Sequence, residues 1–81
     1  MFDSMILLAR VLEQLKQFPK YWECSERVLS MSIILGDYES RYRALINFGN
    51  AALAMFQLPK AVETFSESLD LALKVQTPTN H

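Results

Sequence analysis

Ile46-Asn47-Phe48-Gly49-Asn50-Ala51-Ala52, then Leu58-Pro59-Lys60-Ala61, then Phe65-Ser66-Glu67-Ser68-Leu69 form a single spaced pattern. A glycine inside an apolar helical stretch gives up about 1 kcal/mol of helix propensity relative to alanine, so Gly49 calls for a packing reason. Ala61, about one helix further along the chain, and Phe65, one turn beyond it, supply that reason. The spacing predicts two antiparallel helices that cross closely at Gly49, with the Phe65 ring in the space beside it.

The pattern repeats. Sliding the chain over itself by forty positions lays Gln17-Phe18-Pro19-Lys20-Tyr21-Trp22-Glu23 over Gln57-Leu58-Pro59-Lys60-Ala61-Val62-Glu63, and brings Ile6 onto Ile46, Leu12 onto Ala52 and Leu29 onto Leu69. Each half reads as two helices. The first is expected at about 3–16 with Asp3 as N-cap. The second, about 19–35, opens on Pro19, whose φ is already helical, and closes at Gly36, a natural residue past a helix end. Asp37 then caps a third helix at about 38–55, and Pro59 opens a fourth at about 59–75 that Thr77-Pro78 stops. Linkers of two or three residues make consecutive helices antiparallel neighbours.

Apolar spacing puts Ala61, Val62, Phe65, Leu69, Ala72 and Leu73 on the buried face of the fourth helix, widened by Leu58 and Leu71. In the third helix Leu45, Phe48, Ala52 and Met55 form one stripe, with Ile46 and Leu53 off it. A helix apolar on two sides has two neighbours. The fold class that follows is all-α: four helices in two stacked hairpins, residues 1–40 and 41–76, and a frayed polar tail at 77–81.

Composition agrees. The 81 residues are 51% hydrophobic with only two glycines and three prolines, which favours helix nearly throughout. Net charge is −1. The first half, 1–40, carries four basic and six acidic side chains, and the second half four and three. No basic stripe suits a nucleic acid. The single cysteine, Cys24, excludes an internal disulfide and a cysteine-based zinc site, and points to a reducing, cytoplasmic setting. Met5-Ile6-Leu7-Leu8-Ala9 is too short for a membrane span and lacks the basic flank of a signal segment.

At Leu45, Phe48, Gly49, Ala52, Ala61, Phe65 and Ser68 the chain resembles the tetratricopeptide repeat, in a 40-residue variety. Ser68 is a small-residue variant at its place, and the proline that usually ends the unit is absent at Leu73. The first half departs further: Ala9 stands at the glycine place, Tyr21 and Val28 at the alanines, Ser25 at the aromatic. The resemblance implies a right-handed, TPR-like solenoid of helix pairs whose first helices line a concave groove that holds partner peptides or domains, with no chemistry of its own.

On that resemblance the partner-binding candidates are Asn47 and Asn50, three apart on one helical face, with Arg43 extending it and Arg10 on the first helix. An amide offers a donor and an acceptor together, which suits a peptide backbone; solvated asparagines and an ordinary charged face are the plainer readings. Asn47 and Asn50 carry no packing duty that the sequence reveals. Tyr21, Trp22 and the four methionines read as core filling. Cys24, beside Glu23 and Glu26, reads as an unactivated thiol with a raised pKa. Catalytic, cofactor and metal residues: none, since the only histidine is His81 and no nucleophile set or phosphate loop can be assembled.

The functional expectation is a protein-interaction adaptor or scaffold with a protein or peptide partner, neither an enzyme nor a membrane protein. The alternative is a self-associating helical bundle without a ligand groove, a homo-oligomer or part of a longer repeat array, because two repeats rarely bury every stacking face.

Overall fold

Four helices account for the regular structure among the described residues: α1 (Phe2–Gln14), α2 (Phe18–Leu35), α3 (Tyr38–Ala54) and α4 (Leu58–Gln76). The structure is a computed structural model and describes residues 2–76, less the side chains of Val75 and Gln76. The expected tail at 77–81 and the Thr77-Pro78 stop lie outside the described residues.

Local chemistry sets most boundaries. Pro19 sits in the first turn of α2, where its missing N–H costs nothing. Gly36 ends α2 with φ +78°, and its N–H donates to the Ser32 carbonyl at 3.0 Å. A side chain strains at that φ, so glycine belongs there. Asp37 caps α3, its carboxylate accepting from the Ser40 N–H at 2.7 Å. That bond holds the Asp37 carboxyl below its ordinary pKa. Asp3 differs from expectation. Helix α1 already includes Phe2, so Asp3 lies in the first turn and not at the cap. There its charge still suits the positive end of the helix dipole.

The forty-position period is written in the backbone. Lys16 (φ 60°) and Phe56 (φ 58°) are both left-handed, and they occupy equivalent places in the two halves. Around Lys16 the Lys16 N–H donates to Glu13 O at 3.0 Å and Gln17 N–H to Leu12 O at 2.9 Å. Around Phe56 the same bonds run from Phe56 to Leu53 at 3.0 Å and from Gln57 to Ala52 at 2.8 Å. Each pair closes its helix with one left-handed residue and reverses the chain. Helices α1 and α3 end at equivalent positions, Gln14 and Ala54, and α2 and α4 start at another such pair, Phe18 and Leu58.

Loops of three, two and three residues make successive helices antiparallel. Each helix packs on the next, and α1 also meets α3. The result is a slab of 45 × 29 × 18 Å, two helix diameters deep. Helix α3 is central. Ala44, Leu45, Asn47, Phe48, Gly49, Ala51 and Ala52 are all buried. Two sides are covered as expected, but not by the expected residues: Leu53 is exposed and Ile46 only partly buried, and small residues, Ala44, Gly49 and Ala51, lie at the helix contacts instead. Ala44 and Ala51 join Ala9, Tyr21, Cys24 and Val28 in the core, with Met5, Ile6, Leu12, Trp22 and Leu29 packed against it. Tyr21 and Trp22 are thus core aromatics, the Trp22 ring 4.9 Å from that of Phe48.

The close crossing at Gly49 is present: a Cβ there would stand 2.6 Å from Phe65 Cε1. Helix α4 is rotated from the expected setting. Ala61, Thr64, Ser68 and Leu71 are buried, whereas Val62, Leu69 and Leu73 are exposed and Phe65 is half-buried. The inward hydroxyls are satisfied within the helix. Thr64 Oγ1 donates to Lys60 O at 2.8 Å and Ser68 Oγ to Phe65 O at 2.7 Å, so small polar residues enter the core without orphaned donors.

Candidate functional site

A groove of about 250 Å³ runs between α1 and α3, lined by Ile6 and Arg10 from α1 and by Tyr42, Arg43, Ile46, Asn47 and Asn50 from α3. All four residues singled out in the sequence line it. The repeat accounts for the arrangement: Ile6 and Ile46 are equivalent positions, as are Arg10 and Asn50. The apolar floor of Ile6 and Ile46 and the Tyr42 rim did not emerge from the sequence, although the forty-position register pairs the two isoleucines.

The four residues differ in how free they are. Arg43 Nη1 donates to Asp3 Oδ1 at 3.4 Å across the groove mouth. Both side chains are largely exposed, so the pair contributes at most about 1 kcal/mol and exchanges readily for another carboxylate. Arg10 makes no ion pair among the described residues. Asn50 is exposed.

Asn47 departs from expectation. It is only 8% exposed. Its Nδ2 donates to Ser25 Oγ at 3.3 Å, while the Tyr21 hydroxyl donates to Asn47 Oδ1 and to the Asn47 carbonyl, each at 3.4 Å. The amide is engaged in stitching α2 to α3, so Asn47 does carry a packing duty. The sequence hid it because Tyr21 and Ser25 belong to another helix and no local spacing links them to Asn47.

Burial pushes the Tyr21 phenol up to about 12, the Glu13 carboxylate adding to the shift and the Arg10 guanidinium opposing it. Tyr21 therefore stays protonated as the donor that Asn47 needs. The Cys24 thiol is raised mainly by burial, Arg27 opposing, and not by Glu23 and Glu26 as the sequence suggested. It donates to the Met5 carbonyl at 3.5 Å, as a small core residue does.

A second hollow of about 420 Å³ lies over α2, lined by Met5, Glu23, Glu26, Arg27, Ser30, Met31 and Ile34. It is more open and takes its walls almost entirely from one helix, so it offers less enclosure than the α1–α3 groove. Among the described residues no group of three or more His, Cys, Asp or Glu side chains is placed to hold a metal ion. None of the described helices is long and apolar enough to cross a membrane. In comparison with known proteins no family model matches the chain, and neither a curated protein nor a solved structure matches it significantly.

Proposed function

We propose that this chain is a protein-interaction adaptor of the tetratricopeptide kind, acting in an intracellular setting. Its two hairpins stack in a right-handed sense, and the α1–α3 groove holds an extended segment of a partner. The observation that carries the reading is the convergence of Arg10, Arg43 and Asn50 over an Ile6–Ile46 floor, contributed by equivalent positions of the two repeats. The apolar floor takes one side chain of the segment. The Asn50 amide meets a backbone C=O and N–H together. Arg43, released from Asp3, and Arg10 take an acidic side chain or a terminal carboxylate, a charge-assisted and bidentate contact. Asn47 supports the floor through Tyr21 and Ser25 and does not reach for the ligand. Recognition of this kind needs no chemical step.

The test is a fluorescence-polarisation screen with a library of acidic peptides, followed by Arg10→Ala, Arg43→Ala and Asn50→Ala on the peptides that bind. All three side chains are exposed, so melting should hold. Asn50→Ala should weaken binding by about 1 kcal/mol, and each arginine change should bring a loss that shrinks as salt rises. Asn47→Ala instead lowers stability by about 1 kcal/mol, because it removes the buried amide's bonds to Tyr21 and Ser25 while the main-chain carbonyl still accepts from Tyr21. Full affinity in the triple variant defeats the groove reading.

A further inference from the structure

Two faces of the molecule are exposed although both are apolar. On α4, Leu58, Val62 and Leu69 are exposed, with the half-buried Phe65 between them. Their spacing of four, three and four draws one stripe along the helix. On α1, Leu7, Leu8 and Val11 are exposed, and Leu15, just past the helix end, extends them into a second stripe.

The forty-position register shows what these stripes are. Forty positions before the α4 residues stand Phe18, Trp22, Ser25 and Leu29, of which Trp22 and Ser25 meet α3 and Phe18 and Leu29 pack on the core. Forty positions after the residues of the second stripe stand Asn47, Phe48 and Ala51, the α3 side that meets α2, and Met55 just past the helix end. The contacts bear out the pairing: the Trp22 ring lies 4.9 Å from that of Phe48, and Ser25 accepts from Asn47 at 3.3 Å. The exposed faces are therefore the two halves of an interface the molecule already forms once, between α2 and α3.

The substitutions between the halves are coordinated. Transposed through the register, the Trp22–Phe48 ring pair becomes Val62 against Leu8. The polar set of Tyr21, Ser25 and Asn47 becomes Ala61, Phe65 and Leu7, apolar at every member. Replacing only one partner of a buried hydrogen bond leaves the other unsatisfied, whereas replacing all of them by apolar groups does not. Ala61 is itself buried within the second hairpin, but Phe65 and Leu7 lie on the two exposed stripes, and both are apolar where the internal pair is polar.

We propose that copies of this chain join head to tail, α1 of one copy docking on α4 of the next in the register of the internal α2–α3 interface, Leu8 on Val62 and Leu7 on Phe65. Each copy uses two different surfaces, so the contact is heterologous and adds copies in an open series instead of closing as a two-fold dimer. The α1–α3 groove shares no residue with either face, so the assembly leaves it open; the proposal stands apart from the adaptor reading.

The experiment is sedimentation of the full chain from about 1 μM to about 1 mM, with two variants made on exposed positions. The wild type should pass through dimer to larger species, its average mass climbing beyond twice the 9.3 kDa monomer. Leu7→Glu/Leu8→Glu, altered on α1, and Val62→Glu/Leu69→Glu, altered on α4, should each be monomeric with unchanged helicity by circular dichroism. Mixed one to one, they should form a species of two chains and no larger, because one intact α4 face then meets one intact α1 face. A wild type that stays monomeric throughout overturns the proposal. So does self-association of either variant alone, which would mark a two-fold contact through the remaining face, and so does a mixture that stays monomeric.

Discussion

In the second hairpin the helices cross at Gly49, and the Phe65 ring occupies the space where a Cβ would stand, 2.6 Å away. At the equivalent places of the first hairpin are Ala9 and Ser25, both fully buried. One turn earlier along the second helix the sizes reverse: Tyr21 in the first hairpin answers to Ala61 in the second. At these two places each hairpin thus has one aromatic and one small residue, in opposite order. The lesson is that the repeat preserves summed volume and backbone path and leaves the placement of bulk free. The difference has a consequence for polarity. Putting the aromatic at position 21 carries its hydroxyl to α3, where Asn47 accepts it, and among the described residues only the first hairpin gains a buried polar link to its neighbour.

The largest effect tests that link. Tyr21 is 1% exposed, so Tyr21→Ala should cost about 3–5 kcal/mol by urea unfolding, most of the stability of so small a domain. Tyr21→Phe should cost about 1 kcal/mol, the net worth of the hydrogen bond. The two variants separate packing from polarity. Acidity adds a signature. The folded phenol titrates near 12 against an ordinary 10, so its contribution is whole below pH 10 and drains away as pH rises through about 12. Unfolding midpoints that fall over that window in the wild type, and fall less in Tyr21→Phe, confirm the assignment. An identical decline in both removes Tyr21 from the account.

The next effect exchanges one hairpin's solution for the other's. Gly49→Ala gains about 1 kcal/mol of helix propensity but drives a Cβ into the Phe65 ring, an overpacking cost of about 1–3 kcal/mol. A net loss is expected. Phe65→Ser alone should cost about 2 kcal/mol, below the value for a fully buried phenylalanine because the ring is only partly buried. Combined, Gly49→Ala/Phe65→Ser recreates the first hairpin's pair, and the double variant should be more stable than the sum of the singles by about 1 kcal/mol or more. Strict additivity in the cycle would show that the ring and the glycine do not share a site.

The smallest effect concerns what the hairpins have in common. Lys16 and Phe56 hold a left-handed φ that glycine adopts without penalty, and Phe56 is 86% exposed, with little packing to lose. Lys16→Gly and Phe56→Gly should each raise the unfolding free energy, by up to about 1 kcal/mol and by similar amounts. A stabilisation at one site only would show that the two turns, alike in backbone, differ in the strain they carry.

The helices, the boundaries set by Pro19, Gly36, Asp37 and Pro59, and the forty-position period were legible in the sequence because their causes are local. Pro19 and Pro59 open helices, Gly36 supplies a left-handed residue, Asp37 reaches only to Ser40, and a repeat is visible when the chain is slid over itself. Even the Gly49–Phe65 contact belongs here, since a costly glycine and a matching aromatic stand in the two helices of one hairpin. The groove was legible as a set of residues, Arg10, Arg43, Asn47 and Asn50, but their states were not. Only the tertiary structure decided that Asn47 turns inward to Tyr21 and Ser25, that α4 buries Thr64 and Ser68 while Val62 and Leu69 face water, and that Lys16 and Phe56 take the left-handed turn without a glycine to announce it. The physical reason is the same in each case. An apolar stripe reports surface that gains from being covered, and a helix with two such stripes does not say which neighbour will cover which; that is settled when the other helices arrive.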